Sequence, residues 1–296
     1  MLKRSIVFES PVSLTLKNAQ LIVTYKDVVD DEPRTIPIED IGIVLINNQR
    51  ISMSIPLINA LADASVAVVF CNERNMPNSM LQQMDGNCLQ GEILRNQIEV
   101  GEVLKKQLWK QIIEAKIHNQ SLLLDKYGKN GDILRPLYSN VKSGDADNRE
   151  GIAARMYWAE LFGPDFSRDR TEIGINALLN YGYTILRAAV SRSIVSSGLF
   201  PAFGIYHKHR SNAFPLADDL MEPYRPYVDE VVYRLYQKGH YELNQQSKAE
   251  LINMLYNDTR FDNVTRPLTV GLSITTASLV KCYAKEEKKL NLPYFE

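Results

Sequence analysis

The stretch Asn75-Met-Pro-Asn-Ser-Met-Leu-Gln-Gln-Met-Asp-Gly-Asn87 decides how this chain is divided, because the hydrophobic pattern differs on its two sides. From Asn72 to Gln90 the residues are mainly Asn, Gln, Met, Pro and Gly, and no regular period survives, so residues 75–90 are expected to form a linker or mobile loop. Upstream, side chains alternate with a period of two in Ser5–Glu9, Val12–Leu16, Gln20–Tyr25 and Gly42–Ile46. Polar turns separate these runs, at Lys17-Asn18 and in the acidic segment Asp27 to Glu32. Ile55–Ala62 predicts a short helix, and Ala64–Phe70 a buried strand leading to Cys71. Residues 1–74 are therefore expected to be a small β-rich domain that holds no catalytic cluster.

Downstream the period changes. Leu94 and Ile98, then Leu104, Leu108 and Ile112, recur at intervals of four and predict helices running towards Tyr127. Lys105, Lys106, Lys110 and Lys116 read as a solvated face of that region. Asp147-Asn-Arg-Glu150 opens the next helix, with Asp147 as N-cap and Glu150 as the partner in a variant capping box. Ala154, Tyr157 and Leu161 share a face with Glu150, which would direct its carboxylate inward, where it needs a metal or another partner. A longer helix begins near Glu172, carries NALLNYGY and stops before Gly198. Ser247-Lys-Ala-Glu250 opens another by capping box, and Pro267 starts one running through Cys282 to Lys288. Residues 91–296 thus predict an all-helical domain. The expected class is α+β, a small N-terminal β-rich domain followed by a larger all-α C-terminal domain.

Composition narrows the possibilities. With 296 residues, 45% of them hydrophobic, the chain can bury one large or two ordinary cores, which excludes a mainly disordered protein. Cys71, Cys88 and Cys282 are odd in number and too far apart for a CxxC zinc site, so reduced thiols are expected. No apolar run reaches the ~18 residues of a membrane span, and Met1-Leu-Lys-Arg4 leads into a short alternating segment, so a cytoplasmic location is expected. A net charge of −1 and a pI near 6.5 argue against a nucleic-acid binder unless the basic groups cluster on one surface.

The densest chemistry lies in Gly204–Pro226, GIYHKHRSNAFPLADDLMEPYRP. His207 and His209 supply imidazoles, and Asp218, Asp219 and Glu222 supply carboxylates suited to Mg²⁺ or Mn²⁺. Leu216–Glu222 reads as a short helix ended by Pro223, with Asp219 and Glu222 on one face. Acids early in a helix also favour its dipole without any ligand.

Three blocks, REGIAARMYW around Glu150, INALLNYGYTILRAAV from Ile175, and the Gly204–Pro226 segment, resemble the signatures of the CRISPR adaptation integrase, the Cas one family, most like members from type two systems. The resemblance covers essentially the whole chain. It implies that Glu150, His207 and Glu222 bind Mg²⁺ or Mn²⁺ and are the catalytic residues, with Asp219 as an accessory acid. His209 and Asp218 match less closely. The third acid is Glu where many members have Asp, which bears on the metal distance. The implied reaction is attack of a prespacer 3′ hydroxyl on a phosphodiester at the edge of a CRISPR repeat, with DNA nicking at the same site. His207 is then either a ligand or an acid/base, and Arg149, Arg210 and Arg225 either contact phosphate or pair with nearby acids. Implied partners are double-stranded prespacer and repeat DNA, a second copy of the chain bound through the β-rich domain, a Cas two dimer and the Cas nine effector, with no membrane. Two other classes remain: Asp218-Asp-Leu-Met-Glu222 also fits the DDxx(D/E) magnesium motif of helical isoprenoid-diphosphate synthases, and a DNA-binding scaffold without activity is the third reading.

Overall fold

The computed structural model describes residues 3–28, 32–73, 77–81, 83, 87–169, 173–262 and 264–295. Contacts divide the chain into two units, Met1–Gly86 and Asn87–Glu296.

In the first unit the alternating runs become strands β1 (Arg4–Phe8), β2 (Val12–Lys17), β3 (Gln20–Tyr25) and β5 (Ile41–Ile46). Short strands β4 (Arg34–Pro37) and β6 (Ser52–Met53), which the pattern does not announce, complete a sheet in the order β4-β3-β2-β6. Helix α1 (Ile55–Asp63) leads to β7 (Ala67–Cys71). The second sheet, β1-β5-β7-β8, holds β5 between two parallel neighbours, and every residue of β5 is buried, as a central parallel strand requires. Val12, Leu14, Leu21 and Val23 of the first sheet, Val44 and Val68 of the second, and Leu57 and Leu61 of α1 form the core of this unit.

Part of the expected linker is ordered structure. Pro77–Leu81 is strand β8, antiparallel to β7, with Val68 opposite Leu81 and Val69 opposite Met80. It pairs the β7 groups that would otherwise form an open sheet edge, and Pro77 stands first in the strand, where a missing N–H is tolerated. Asn75, Met76, Gln82 and Met84–Gly86 of the same segment, Val29–Asp31 of the acidic turn and Glu172 lie outside the described residues.

The second unit is built around two long helices. Helix α2 (Gln90–Glu99) precedes α3 (Glu102–Lys126), whose buried positions run from Leu108 and Trp109 to Leu124 and cover more than half of its circumference, with no exposed residue among them. A helix with so wide a buried face lies largely in the interior. After the one-turn α4 (Arg135–Tyr138) come α5 (Arg149–Phe162) and α6 (Gly174–Ser196), the second interior helix, which Gly198 ends at a positive φ of 79°. Then follow α7 (Pro215–Met221), a 3₁₀ turn over Glu222–Tyr224, α8 (Arg225–Gln237), α9 (Gln245–Asn253) and α10 (Leu268–Tyr283). A two-stranded ribbon of β9 (Asp258–Arg260) and β10 (Thr265–Pro267) interrupts an otherwise helical unit. The capping box of α9 is formed by Asn244 and Ser247, three residues earlier than the one expected at Ser247 and Glu250. Helix α10 stops at Tyr283, short of Lys288. No helix among the described residues is long and apolar enough to cross a membrane.

Candidate active site

Helix α3 reaches the site with a lysine. Lys116 is 7% exposed, so it does not belong to the solvated face expected of it. Its Nζ lies 2.5 Å from Glu150 Oε1 and 2.6 Å from Glu222 Oε2. The two acids predicted to share an ion thus converge on one ammonium, Glu150 from the start of α5 and Glu222 from the turn after α7.

The start of α5 is held firmly, though not by Asp147. Asn148, in a left-handed conformation that Asn tolerates, is the N-cap and accepts from the Gly151 N–H. Buried Asp145 accepts from the N–H groups of Arg149 (2.8 Å) and Glu150 (3.1 Å). Asp147 instead pairs with Lys142 and lies 3.7 Å from Arg149. With its backbone fixed, Glu150 turns its carboxylate to Lys116.

Glu222 is almost completely buried, and Arg225 Nε sits 2.9 Å from the same Oε2 that Lys116 approaches. Neither approach has the angles of a hydrogen bond at that oxygen, so the attraction is chiefly between charges. Burial pushes the Glu222 carboxyl up, but Arg225 and Lys116 outweigh it and hold the group down at about 2. Burial likewise lowers Lys116, and Glu222 and Glu150 more than restore it. Arg225 also lies over the Tyr183 ring, 4.5 Å from its centroid. Asn119, one turn along α3 from Lys116, donates to the Pro223 carbonyl at 2.8 Å and so ties the Glu222 turn to that helix.

His207 occupies the loop between α6 and α7. Its Nδ1 is 2.5 Å from Asp219 Oδ1, and its ring stands edge-on to Trp109. Asp219 is fully buried and also accepts from the backbone N–H groups of Ile205 (2.6 Å), Tyr206 (2.9 Å) and His207 (3.2 Å). Its helical spacing from Glu222 suggested a shared ion, yet its oxygens are turned to the loop and to His207. The hydrogen bond to Asp219 raises His207 above the ordinary imidazole value, and the Glu222 charge adds to that. Gly204 permits the tight loop, since a Cβ there would stand 2.6 Å from the His207 carbonyl oxygen.

Asp218 accepts from Arg187 Nε at 2.6 Å and from Asn212 Nδ2 at 2.7 Å, while His209 is exposed and bonds Ser211; Arg210 is exposed on the same loop. The three acids of DDLME are therefore directed to three different sets of partners and present no common magnesium cluster, which removes the ground for the isoprenoid reading.

The sequence does not single out a further buried carboxylate of this unit. Asp229 of α8, fully buried, accepts from Tyr157 of α5 at 2.8 Å and from Tyr183 of α6. It pins together the helices that carry Glu150, Arg225 and the ring beneath Arg225. Burial raises the Asp229 carboxyl to about 6 against the opposing hydrogen bonds.

The donor set suits a divalent cation in kind: two carboxylates for a hard metal, and an imidazole whose one nitrogen is engaged by a carboxylate, leaving Nε2 for a ligand. Among the described residues, no three His, Cys, Asp or Glu side chains are grouped as a metal cage; Lys116 stands between two of the candidates.

This architecture is shared with known proteins. It superposes on a casposase bound to integration product with a TM-score of 0.80, at 20% identity over 98% of this chain and 93% of that one. It also superposes on a chain of a Cas6-RT-Cas1–Cas2 complex with a TM-score of 0.75, at 20% identity over 99% of this chain and 36% of that one. The family model described as "CRISPR associated protein Cas1" matches residues 5–265. The CRISPR-associated endonuclease Cas1 of Neisseria meningitidis serogroup C (strain 8013) is 38% identical over 257 residues, 86% of this chain and 83% of that relative. The chain belongs to the Cas1 family.

Proposed function

We propose that this chain is a divalent-metal-dependent DNA endonuclease and integrase that joins the 3′ hydroxyl of a prespacer to a phosphodiester at the edge of a CRISPR repeat. The observation that carries the reading is the convergence of Glu150 and Glu222, from separate elements, on one buried cation, with His207 oriented alongside by Asp219. Family membership supports the same reading, as do the endonuclease name of the Neisseria relative and the integration product held by the casposase.

In this reading Glu150, Glu222 and the Nε2 of His207 hold Mg²⁺ or Mn²⁺. The bound ion supplies Lewis acidity towards the phosphoryl oxygens and offsets the charge that develops there. Asp219 keeps the imidazole in one orientation. Asp145 and Asn148 fix where Glu150 begins its helix, and Asn119 fixes the turn carrying Glu222. One phosphodiester is exchanged for another: as the new P–O bond forms, the 3′ oxygen of the attacked strand leaves and gains a proton to balance the one lost by the prespacer hydroxyl, so no nucleotide cofactor is consumed.

The DNA is double-stranded, and a chain of net charge −1 holds it on a composite surface built with partners. We assign those partners as a second copy of this chain, a Cas2 dimer and, for prespacer choice, the Cas nine effector, in the cytoplasm. The Cas2 part draws support from the complex formed by one structural relative.

The test is strand transfer of a fluorescent duplex with free 3′ hydroxyls into a repeat-bearing plasmid, with the Cas2 partner, in Mn²⁺ and in EDTA. Glu150→Ala, His207→Ala and Glu222→Ala are each expected to lower the rate at least about a hundredfold while DNA binding persists. Product in EDTA, or an undiminished rate in Glu222→Ala, would refute the assignment. Binding without any product from the wild type would favour a scaffold.

A further inference from the structure

A buried lysine ammonium held by two acids is more than an ordinary ion pair when those acids are the proposed ligands. Lys116 grows from a face of α3 whose neighbours Ile112, Ile113, Ile117 and Gln120 are all buried, and its Nζ contacts both Glu150 and Glu222. Burying an ammonium there is unfavourable by itself, and the two carboxylates offset that. Arg225 brings a second positive group to Glu222, so the four side chains together carry two positive and two negative charges.

That balance has a consequence for metal binding. A divalent cation added between Glu150 and Glu222 with Lys116 in place would leave two surplus positive charges in a buried cluster. With Lys116 withdrawn, the surplus is one. The position that satisfies both carboxylates is also the position Nζ occupies. We propose that Lys116 is a stand-in cation: it holds the Glu150 and Glu222 carboxylates together on one positive charge before a metal arrives, and the incoming divalent ion displaces it. The proposal rests on the metal reading given above. Lys116 acts as a positioning residue, setting how tightly and how selectively the site takes its ion.

The experiment is Mn²⁺ binding to the full chain without DNA, by calorimetry and by thermal unfolding with and without the ion, for wild type, Lys116→Met and Glu150→Gln. Lys116→Met lacks the competing ammonium but leaves Glu150 without its cation and Glu222 with Arg225 alone. Its expected behaviour is a lowered melting temperature in EDTA, Mn²⁺ affinity raised by about tenfold or more, and a larger thermal shift on adding Mn²⁺ than the wild type shows. Unchanged or weaker affinity in Lys116→Met, where wild type binds Mn²⁺ and Glu150→Gln does not, would overturn the stand-in role and leave the metal reading intact. A wild type that binds no Mn²⁺ would overturn both.

Should Lys116→Met not fold, amine footprinting of the wild type by mass spectrometry gives a second reading of displacement. Modification of Lys116 is expected to be low in EDTA and to rise severalfold in Mn²⁺. Equal modification under both conditions would refute displacement.

Discussion

Two of the buried carboxylates in the helical unit, Glu222 and Asp229, are compensated in different ways. Glu222 faces the full charges of Lys116 and Arg225, whereas Asp229 receives hydrogen bonds from the neutral hydroxyls of Tyr157 and Tyr183. The consequences are opposite: Glu222 is held at about 2 and Asp229 is lifted to about 6. Formal charge opposite an acid keeps it ionised, and cations can be exchanged for one another. Neutral donors anchor an acid without overcoming the cost of burying its charge, and they tie helices together. The first arrangement suits a place where an ion comes and goes, the second a joint.

Replacing each acid by its amide separates the two most strongly. Glu222→Gln leaves Arg225 against a neutral group and Lys116 with Glu150 alone, and removal of one side of a buried ion pair costs about 3–5 kcal/mol. Asp229→Asn keeps an acceptor for one tyrosine and a donor that the other hydroxyl accepts, and it removes a buried charge. Its stability at pH 7 is expected within about 1 kcal/mol of the wild type. Urea unfolding in EDTA measures both. Equal losses would mean that the clusters do not differ in kind.

Acidity gives the next largest contrast. The fold prefers Glu222 ionised, so its contribution is complete above its ordinary value of 4.5 and is lost as pH falls through about 2, a change of about 3 kcal/mol. The fold prefers Asp229 protonated, so its contribution is complete below 3.8 and is lost as pH rises through about 6, again about 3 kcal/mol. Stability in EDTA is therefore expected to rise from pH 2 to about 4.5 and to fall again towards 6. Glu222→Gln should flatten the acid limb and Asp229→Asn the other. A fall towards pH 6 that persists in Asp229→Asn would assign that limb to another group.

The same contrast marks what the sequence made legible. Periodicity found β3 at its observed bounds, Gln20–Tyr25, and placed β2, β5, α1 and α6 close to theirs, because each buries a regular face. It misplaced Lys116, although the signal was present: the series Leu104, Leu108, Ile112 continues by fours to 116 and 120, and both are buried. Residue type, which normally sends lysine outside, outweighed position. In α2 the buried residues are Ile93 and Gln97, and Ile98 is exposed, so the apolar face lies one residue from where Leu94 and Ile98 put it. Glu150, His207 and Glu222 were visible as blocks of local sequence. The Asp229 cluster was not, since Tyr157 and Tyr183 meet Asp229 across 72 and 46 residues and no short-range pattern encodes that meeting. Asp219 shows the converse: helical spacing paired it with Glu222, and the loop 205–207 took its oxygens instead.

The smallest effect is also the most discriminating. Tyr157→Phe and Tyr183→Phe each delete one hydroxyl that donates to Asp229, for an expected loss of about 1 kcal/mol apiece at a pH where Asp229 is charged. They differ in what lies beyond the ring. Tyr157 approaches from α5 on the side of Asp229 Oδ2, but the Tyr183 ring lies under Arg225, whose Nε contacts Glu222. Removing the Tyr183 hydroxyl leaves a ring that Arg225 still covers, yet it changes the charge that Arg225 feels from both acids. Combined with Glu222→Gln, Tyr157→Phe should be additive within about 0.5 kcal/mol and Tyr183→Phe should not. A double-mutant cycle by urea unfolding measures the difference. Two equally additive tyrosines would show that the joint and the charged cluster are independent; coupling confined to Tyr183 would identify Arg225 as the side chain through which the scaffold senses the site.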